Sequence, residues 1–134
     1  MDKNISSLHM DKLFFNEISF VREGVNRKDS HFDFDLETTV STNPEGDSYK
    51  VNLKMIGSKN GEYKLVISLI GIFSFDSTKK LDDKLKIDLI SKNTVSIMMP
   101  YLRSQVSLIT AQPGVDCIVL PPFNINNMIN SEKV

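Results

Sequence analysis

The chain has 134 residues, 40% hydrophobic and 25% charged, with six Gly and five Pro, the proportions of one globular domain that needs no staple. Sixteen basic against seventeen acidic residues leave a formal charge of −1, which argues against nucleic-acid binding by bulk charge. The single cysteine, Cys117, excludes an internal disulfide and a cysteine-built zinc site. Apolar runs such as Leu69–Phe73 are too short to span a bilayer, and Met1–Lys12 lacks the apolar stretch of a signal peptide. These features predict a cytoplasmic single domain over residues 1–134, with a flexible segment at 1–12 and a tail at 131–134.

Period-2 alternation fills the first half of the chain. A first run sets Phe14, Asn16, Ile18 and Phe20 against Leu13, Phe15, Glu17, Ser19 and Val21. A second sets Phe32, Phe34, Leu36, Thr38 and Val40 against Asp33, Asp35 and Glu37. In a third, Tyr49, Val51, Leu53 and Met55 oppose Lys50, Asn52 and Lys54. A fourth places Tyr63, Leu65, Ile67, Leu69 and Gly71 on one face. Such alternation is the mark of half-buried antiparallel strands. The punctuation agrees: Gly24, the cluster Asn43–Asp47, and Ser58–Gly61 ending in Asn-Gly all favour turns. Four strands in one antiparallel sheet are expected.

After Phe75 the period changes. Leu81, Leu85 and Leu89 recur among Lys80, Asp82, Asp83, Lys84, Lys86 and Asp88, the pattern of a solvated amphipathic helix. A second helical stretch is expected over Thr94–Ala111, ended by Pro113-Gly114 and kinked or restarted at Pro100. Ile118–Leu120 reads as extended, and 124–134 as a short final helix weakened by asparagines. Between Asn93 and Ser131 only Arg103 and Asp116 carry charge. A helix apolar nearly all round is buried on more than one side, and one sheet covers only one of them. The other side calls for a second protein, most economically another copy. Met98, Leu102, Val106 and Ile109 are the expected interface residues.

Catalytic groups are hard to assemble. His9 and His31 read as surface residues with no third ligand nearby, so no metal is expected. Asp33, Asp35 and Glu37 share one strand face, which solvent exposure explains without chemistry. Cys117 sits in an apolar segment with no adjacent base and reads as a small hydrophobe. The stretch Gly57–Gly61 is phosphate-friendly in composition but opens no helix, and reads as a hairpin turn.

Several residues in order resemble the SecB family of export chaperones. Pro100-Tyr101-Leu102-Arg103 is similar to the family's Pro-Tyr-x-Arg, and Leu120-Pro121-Pro122-Phe123-Asn124 to its Leu-x-Pro-Val/Ile-Asn. Gly71-Ile72-Phe73, Ile18-Ser19-Phe20 and Phe34-Asp35-Leu36-Glu37 match further family segments in the right order, so the resemblance runs from about Leu13 to Asn127. It implies an α+β fold: a four-stranded antiparallel sheet packed on a long helix, with a short C-terminal helix.

The resemblance further implies a holdase that works without ATP, cofactor or metal and assembles as a dimer of dimers. Non-native polypeptides or preproteins would lie in apolar grooves formed by Phe32, Phe34 and Leu36 with Val115, Ile118 and Leu120. A core role fits the same six residues, and both readings stay open at this level. For docking on the motor SecA, Glu17 stands at one family acidic position, whereas Val21 and Val66 replace others and Lys64 replaces an apolar residue. The family's acidic tail has no counterpart here, which leaves a second SecB-like role in play: shielding the antitoxin of a toxin–antitoxin system. From a different class, the same layout would suit a binding protein for a small apolar ligand. No acid–base pair or nucleophile supports an enzyme.

Overall fold

The computed structural model describes residues 8–25, 30–75 and 83–122, with the side chains of 83–87 excepted. Strands β1 (Leu8–Arg22), β2 (Phe32–Thr42), β3 (Ser48–Lys59) and β4 (Tyr63–Phe75) precede one helix, α1 (Asp83–Thr110). The strands form a single antiparallel sheet in the order β1-β4-β3-β2, so β1 and β2 are its edges. The expected layout of sheet and long helix is present. The first seven residues, Leu81 and the segment 123–134 expected to carry the short final helix lie outside the described residues.

Turn chemistry sets the register. Between β2 and β3 the Asn43 side-chain oxygen accepts hydrogen bonds from the backbone N–H groups of Asp47 and Ser48, both at 3.1 Å. This local closure is a characteristic use of asparagine. Between β3 and β4 the chain turns through Asn60–Glu62, with Gly61 at φ 81, a left-handed conformation that costs glycine nothing. β3 therefore extends to Lys59, past the Met55 at which its clear alternation ends.

The alternation of β3 and β4 translates directly into a core. Val51, Leu53, Met55, Leu65, Ile67 and Leu69 are fully buried on the inner face. Burying a side chain of this size stabilises by about 1.5–3 kcal/mol. The helix covers that face across β4, β3 and β2.

β1 corrects the sequence reading in two ways. It begins at Leu8, where a flexible segment through Lys12 was expected. Its phase also shifts twice, because Asp11 and Asn16 are skipped in the pairing with β4. Each bulge inserts an extra residue and changes which face the following side chains occupy. Leu13 and Phe15 consequently pair with Gly71 and Leu69 and share the inner face with Ile18 and Phe20. Phe14, opposite Ile70, takes the outer face.

The two expected helical stretches are one continuous helix of 28 residues that contains Pro100. Proline removes the N–H that would bond the carbonyl of Ser96, and both residues lie on the exposed side, where water can meet that carbonyl. Ile90, Val95, Met98, Leu102 and Val106 face the sheet. Two buried threonines join them without stranding a donor: the Thr94 hydroxyl donates to the Ile90 carbonyl and that of Thr110 to Val106 at 2.8 Å.

Candidate functional site

After α1 the chain reverses and runs back along the last turns of its own helix. The Thr110 hydroxyl accepts from the Ile118 N–H at 2.8 Å, Ser107 donates to the Ile118 carbonyl at 2.8 Å, and Arg103 Nε donates to the Leu120 carbonyl at 3.1 Å. These three bonds give an otherwise irregular segment, 115–120, a fixed track. Its near end is tied to the sheet. Arg22 donates to the Gly114 carbonyl at 3.2 Å, and Lys59 Nζ stands 3.6 Å from the Asp116 carboxylate.

The end of the sheet held by these ties carries a row of aromatic rings. Phe20 of β1 stacks on Tyr63 of β4 with centroids 4.8 Å apart, Tyr63 lies 6.4 Å from Phe32 of β2, and Phe32 lies 5.9 Å from Phe34. The row crosses β3 because Gly57 leaves room there: a Cβ at that position would stand 2.7 Å from the Phe32 ring. Spacings of this kind add to the stabilisation from burial alone.

Polar groups close the same end of the sheet. Lys59 Nζ is 3.5 Å from the Glu62 carboxylate, whose side chain is only 1% exposed and also accepts from the Ser30 hydroxyl. Burial of such a pair is roughly neutral for stability, and breaking it is costly. The Tyr63 hydroxyl meets no hydrogen-bond partner among the described residues. Burial pushes its pKa up to about 12, with further upward pressure from the negative charges of Glu62 and then Asp116.

The residues expected to bind a ligand divide by position. Phe32, Phe34 and Leu36 are half-buried on the inner face of the edge strand, and Val115 and Ile118 are half-buried in the returning segment. All five pack against the core cluster. Leu120 is 5% exposed and belongs to that cluster, so it has little surface to offer. The strand and the segment thus present a partly open apolar surface along one side of the molecule.

The expected interface residues are corrected by the structure. Met98, Leu102 and Val106 are fully buried against the chain's own sheet, and Ile109 is half-buried against the same core. The open side of α1 is instead Ile97, Tyr101 and Leu108, exposed by 40%, 48% and 65%. Beside it lies a recess of about 230 Å³ lined by Pro100, Arg103, Ser104, Ser107, Val119 and Leu120. The helix thus has one face buried against the sheet and one open apolar face.

The outer sheet face holds the remaining candidates. Glu17 follows the second bulge, opposite Ser68, and is exposed. Asp33, Asp35 and Glu37 are exposed along β2, and His9 and His31 are exposed as well. Among the described residues no group of three His, Cys, Asp or Glu side chains could hold a metal ion. Cys117 is exposed, with its thiol 3.6 Å from the Ser107 carbonyl. Among the described residues no helix is long and apolar enough to cross a membrane.

Phe20, Gly57, Lys59, Ser30 and Glu62 complete the site without having been singled out for it in the sequence. In the sequence Phe20 reads only as a residue of the first run, and Gly57 and Lys59 only as part of a hairpin turn, whereas the structure places both in β3.

No family model matches the sequence. Among curated proteins, an uncharacterized protein of Methanocaldococcus jannaschii is 42% identical over 43 residues, which make up 31% of this chain and 28% of that protein. Among solved structures, the SecB-like chaperone of Mycobacterium tuberculosis, in complex with a ChAD peptide from the HigA1 antitoxin, aligns with a TM-score of 0.76. That alignment covers 90% of this chain and 93% of the other, at 10% sequence identity. A Streptococcus agalactiae protein of unknown function aligns with a TM-score of 0.47 over 85% of this chain and 96% of its own, also at 10% identity. The likeness to the mycobacterial chaperone is one of fold, and the fold of this chain is SecB-like.

Proposed function

We propose that the chain is a SecB-like chaperone that holds non-native polypeptide on the apolar surface shared by β2 and the segment after α1. The observation that carries this reading is the half-buried line Phe32, Phe34 and Leu36, facing inward on an edge strand that no further described strand covers. An extended segment laid there gains about 25 cal/mol for each Å² of apolar area removed from water, offset by the entropy of ordering it. Binding of this kind needs no nucleotide and no bond-breaking step. Several such surfaces in one assembly would raise the affinity for a long chain by linkage.

Likeness in fold to a chaperone that carries an antitoxin peptide favours a dedicated, aggregation-prone client, such as an antitoxin, over general protein export. Assembly would proceed through Ile97, Tyr101 and Leu108, an apolar face with the recess beside it. A second copy is the economical cover for a helix side with so little charge.

The reading is tested by adding the chain in excess, without ATP, to slowly refolding unrelated proteins and following light scattering, together with binding to labelled antitoxin-type apolar peptides. Peptide binding with weak suppression of unrelated aggregation is expected. Broad suppression would replace the dedicated role by a general one, with SecA docking through the Glu17 face as the next question. Failure of both assays would overturn holding itself.

A further inference from the structure

One row of residues crosses the sheet at the end to which the chain returns after α1. Arg22 of β1 pairs with Tyr63 of β4, Tyr63 with Lys59 of β3, and Lys59 with Phe32 of β2. The returning chain is fastened to the two cations of that row, one on either side of Tyr63. Arg22 donates to the Gly114 carbonyl at 3.2 Å, and Lys59 Nζ stands 3.6 Å from the Asp116 carboxylate. Residues 114–116 thus bridge from β1 to β3 across Tyr63. Its hydroxyl is buried without a hydrogen-bond partner among the described residues, and the charges of Glu62 and Asp116 both bear on it.

Both fastenings can open without stranding a buried charge. Lys59 keeps the buried Glu62 carboxylate at 3.5 Å when Asp116 leaves, and the Asp116 side chain is already 70% exposed. Arg22 keeps its bond to the Gly24 carbonyl at 2.8 Å, in which the returning chain has no part. Further on, Ile118 and Leu120 are bonded to Thr110, Ser107 and Arg103 of the helix and need no tie to the sheet.

Two opposing effects meet at this point. A half-exposed ion pair and one hydrogen bond hold the chain down, and each is modest. The Tyr63 hydroxyl favours release, because a buried unsatisfied donor is costly and water meets it once the cover lifts. Opposing effects of similar size give two arrangements, the condition for a local opening that other interactions can bias.

We infer that residues 112–116 form a strap with an ionic latch, Lys59–Asp116, that covers Tyr63 and the adjoining end of the ring row. When the latch opens, the strap lifts, 118–120 stay on the helix, and the apolar end beneath becomes available to client. The inference deepens the proposed holding function by giving its surface a regulated cover, and its effect on client rests on that reading.

The latch is tested on the full chain without client, by NMR relaxation of the Tyr63 ring protons with a neutral gadolinium chelate in solution. Asp116→Asn is expected to raise that relaxation about fivefold, with no change at the core residue Leu53. Asp116→Glu should restore the native value. Added salt should raise it in the native chain and leave Asp116→Asn unmoved, because a pair with an exposed member is screened. Anisotropy of fluorescein-labelled, reduced and carboxymethylated lactalbumin then reads the effect on client. Binding should tighten about fivefold in Asp116→Asn as the open population grows. It should weaken in Tyr63→Phe, which lacks the hydroxyl that favours release.

Equal relaxation of Tyr63 in the native chain and in Asp116→Asn would overturn the latch. A matching rise at Leu53 would mean general loosening and would overturn it as well. A rise confined to Tyr63 with unchanged client affinity would overturn the regulation of client. No client binding by any variant, with the rise at Tyr63 in place, would remove the holding function and leave the latch standing.

Discussion

β2 and β3 are neighbours with the same alternating pattern, yet they do different work. The inward residues of β3 are enclosed by a strand on either side and by the helix, and Val51, Leu53 and Met55 have no exposed surface. The inward residues of β2 lack an outer strand and keep part of their surface open. Position in the sheet, more than composition, separates a closed core from a partly open apolar surface. A strand chemically fit for the interior keeps part of that surface open when it is left at the edge, which is what the proposed holding function uses.

The comparison can be broken most forcefully on the helix, where an inner and an outer face also differ. Leu102→Asp would bury an unpaired charge and is expected to cost several kcal/mol, enough to unfold the chain. Leu108→Asp, on the open side, should change single-chain stability by less than about 0.5 kcal/mol and still dissociate the proposed assembly. Circular dichroism and light scattering separate the two effects, and an unfolded Leu108→Asp chain would show that this face is not open.

The sheet supplies the next largest difference. Leu53→Ala should cost about 2–5 kcal/mol in chemical denaturation, as expected for a cavity in a closed core. Leu36→Ala should cost closer to about 1 kcal/mol, because its surroundings are already partly open. Equal losses would mean that the β2 edge is covered as completely as β3.

Gly57→Val probes the aromatic row that joins the two regions. The new side chain would push against the Phe32 ring, with an expected cost of about 1–3 kcal/mol from overpacking. Weaker client binding should accompany it as the floor is displaced, measurable by denaturation and by the peptide assay.

The smallest effect at neutral pH concerns Tyr63. Its folded pKa of about 12 lies above the ordinary tyrosine value of 10.0, so the folded chain holds the phenolic proton more tightly than the unfolded one. That contribution is complete below pH 10 and is lost as pH rises toward 12, about 2–3 kcal/mol in all. Tyr63→Phe should be neutral or slightly stabilising at pH 7, because the hydroxyl has no partner among the described residues. It should also flatten the alkaline loss seen in pH-dependent melting.

Much of this architecture was legible in the sequence because hydrophobic alternation and turn residues act locally. Asn43, Gly61 and the runs of β2 to β4 each point to one structure. β1 misled because bulges at Asp11 and Asn16 change the face of every following residue, and period 2 cannot register an inserted residue. The helix misled differently. Where Arg103 is the only charged residue from Val95 to Ile109, periodicity does not say which face meets the sheet, and the buried Thr94 and Thr110 look like surface residues until their bonds to the preceding turn are seen. The apolar residues of β2 and of the segment after α1 could be named beforehand as groove or core. The ring row across Gly57 and the buried Lys59–Glu62 pair could not, because they depend on the register of three strands and on where the chain returns after the helix.

The central claim is that client polypeptide lies along β2 and the segment after α1, and not on the outer face of the sheet. Photo-reactive benzoylphenylalanine placed singly at Leu36, Val115, Phe14 and Ile56 tests it directly, with an unfolded or antitoxin-type client bound and irradiated. Cross-links from Leu36 and Val115, with little from Phe14 and Ile56, are the predicted result. Cross-links concentrated at Phe14 and Ile56 would contradict the account and move the binding surface to the opposite side of the sheet.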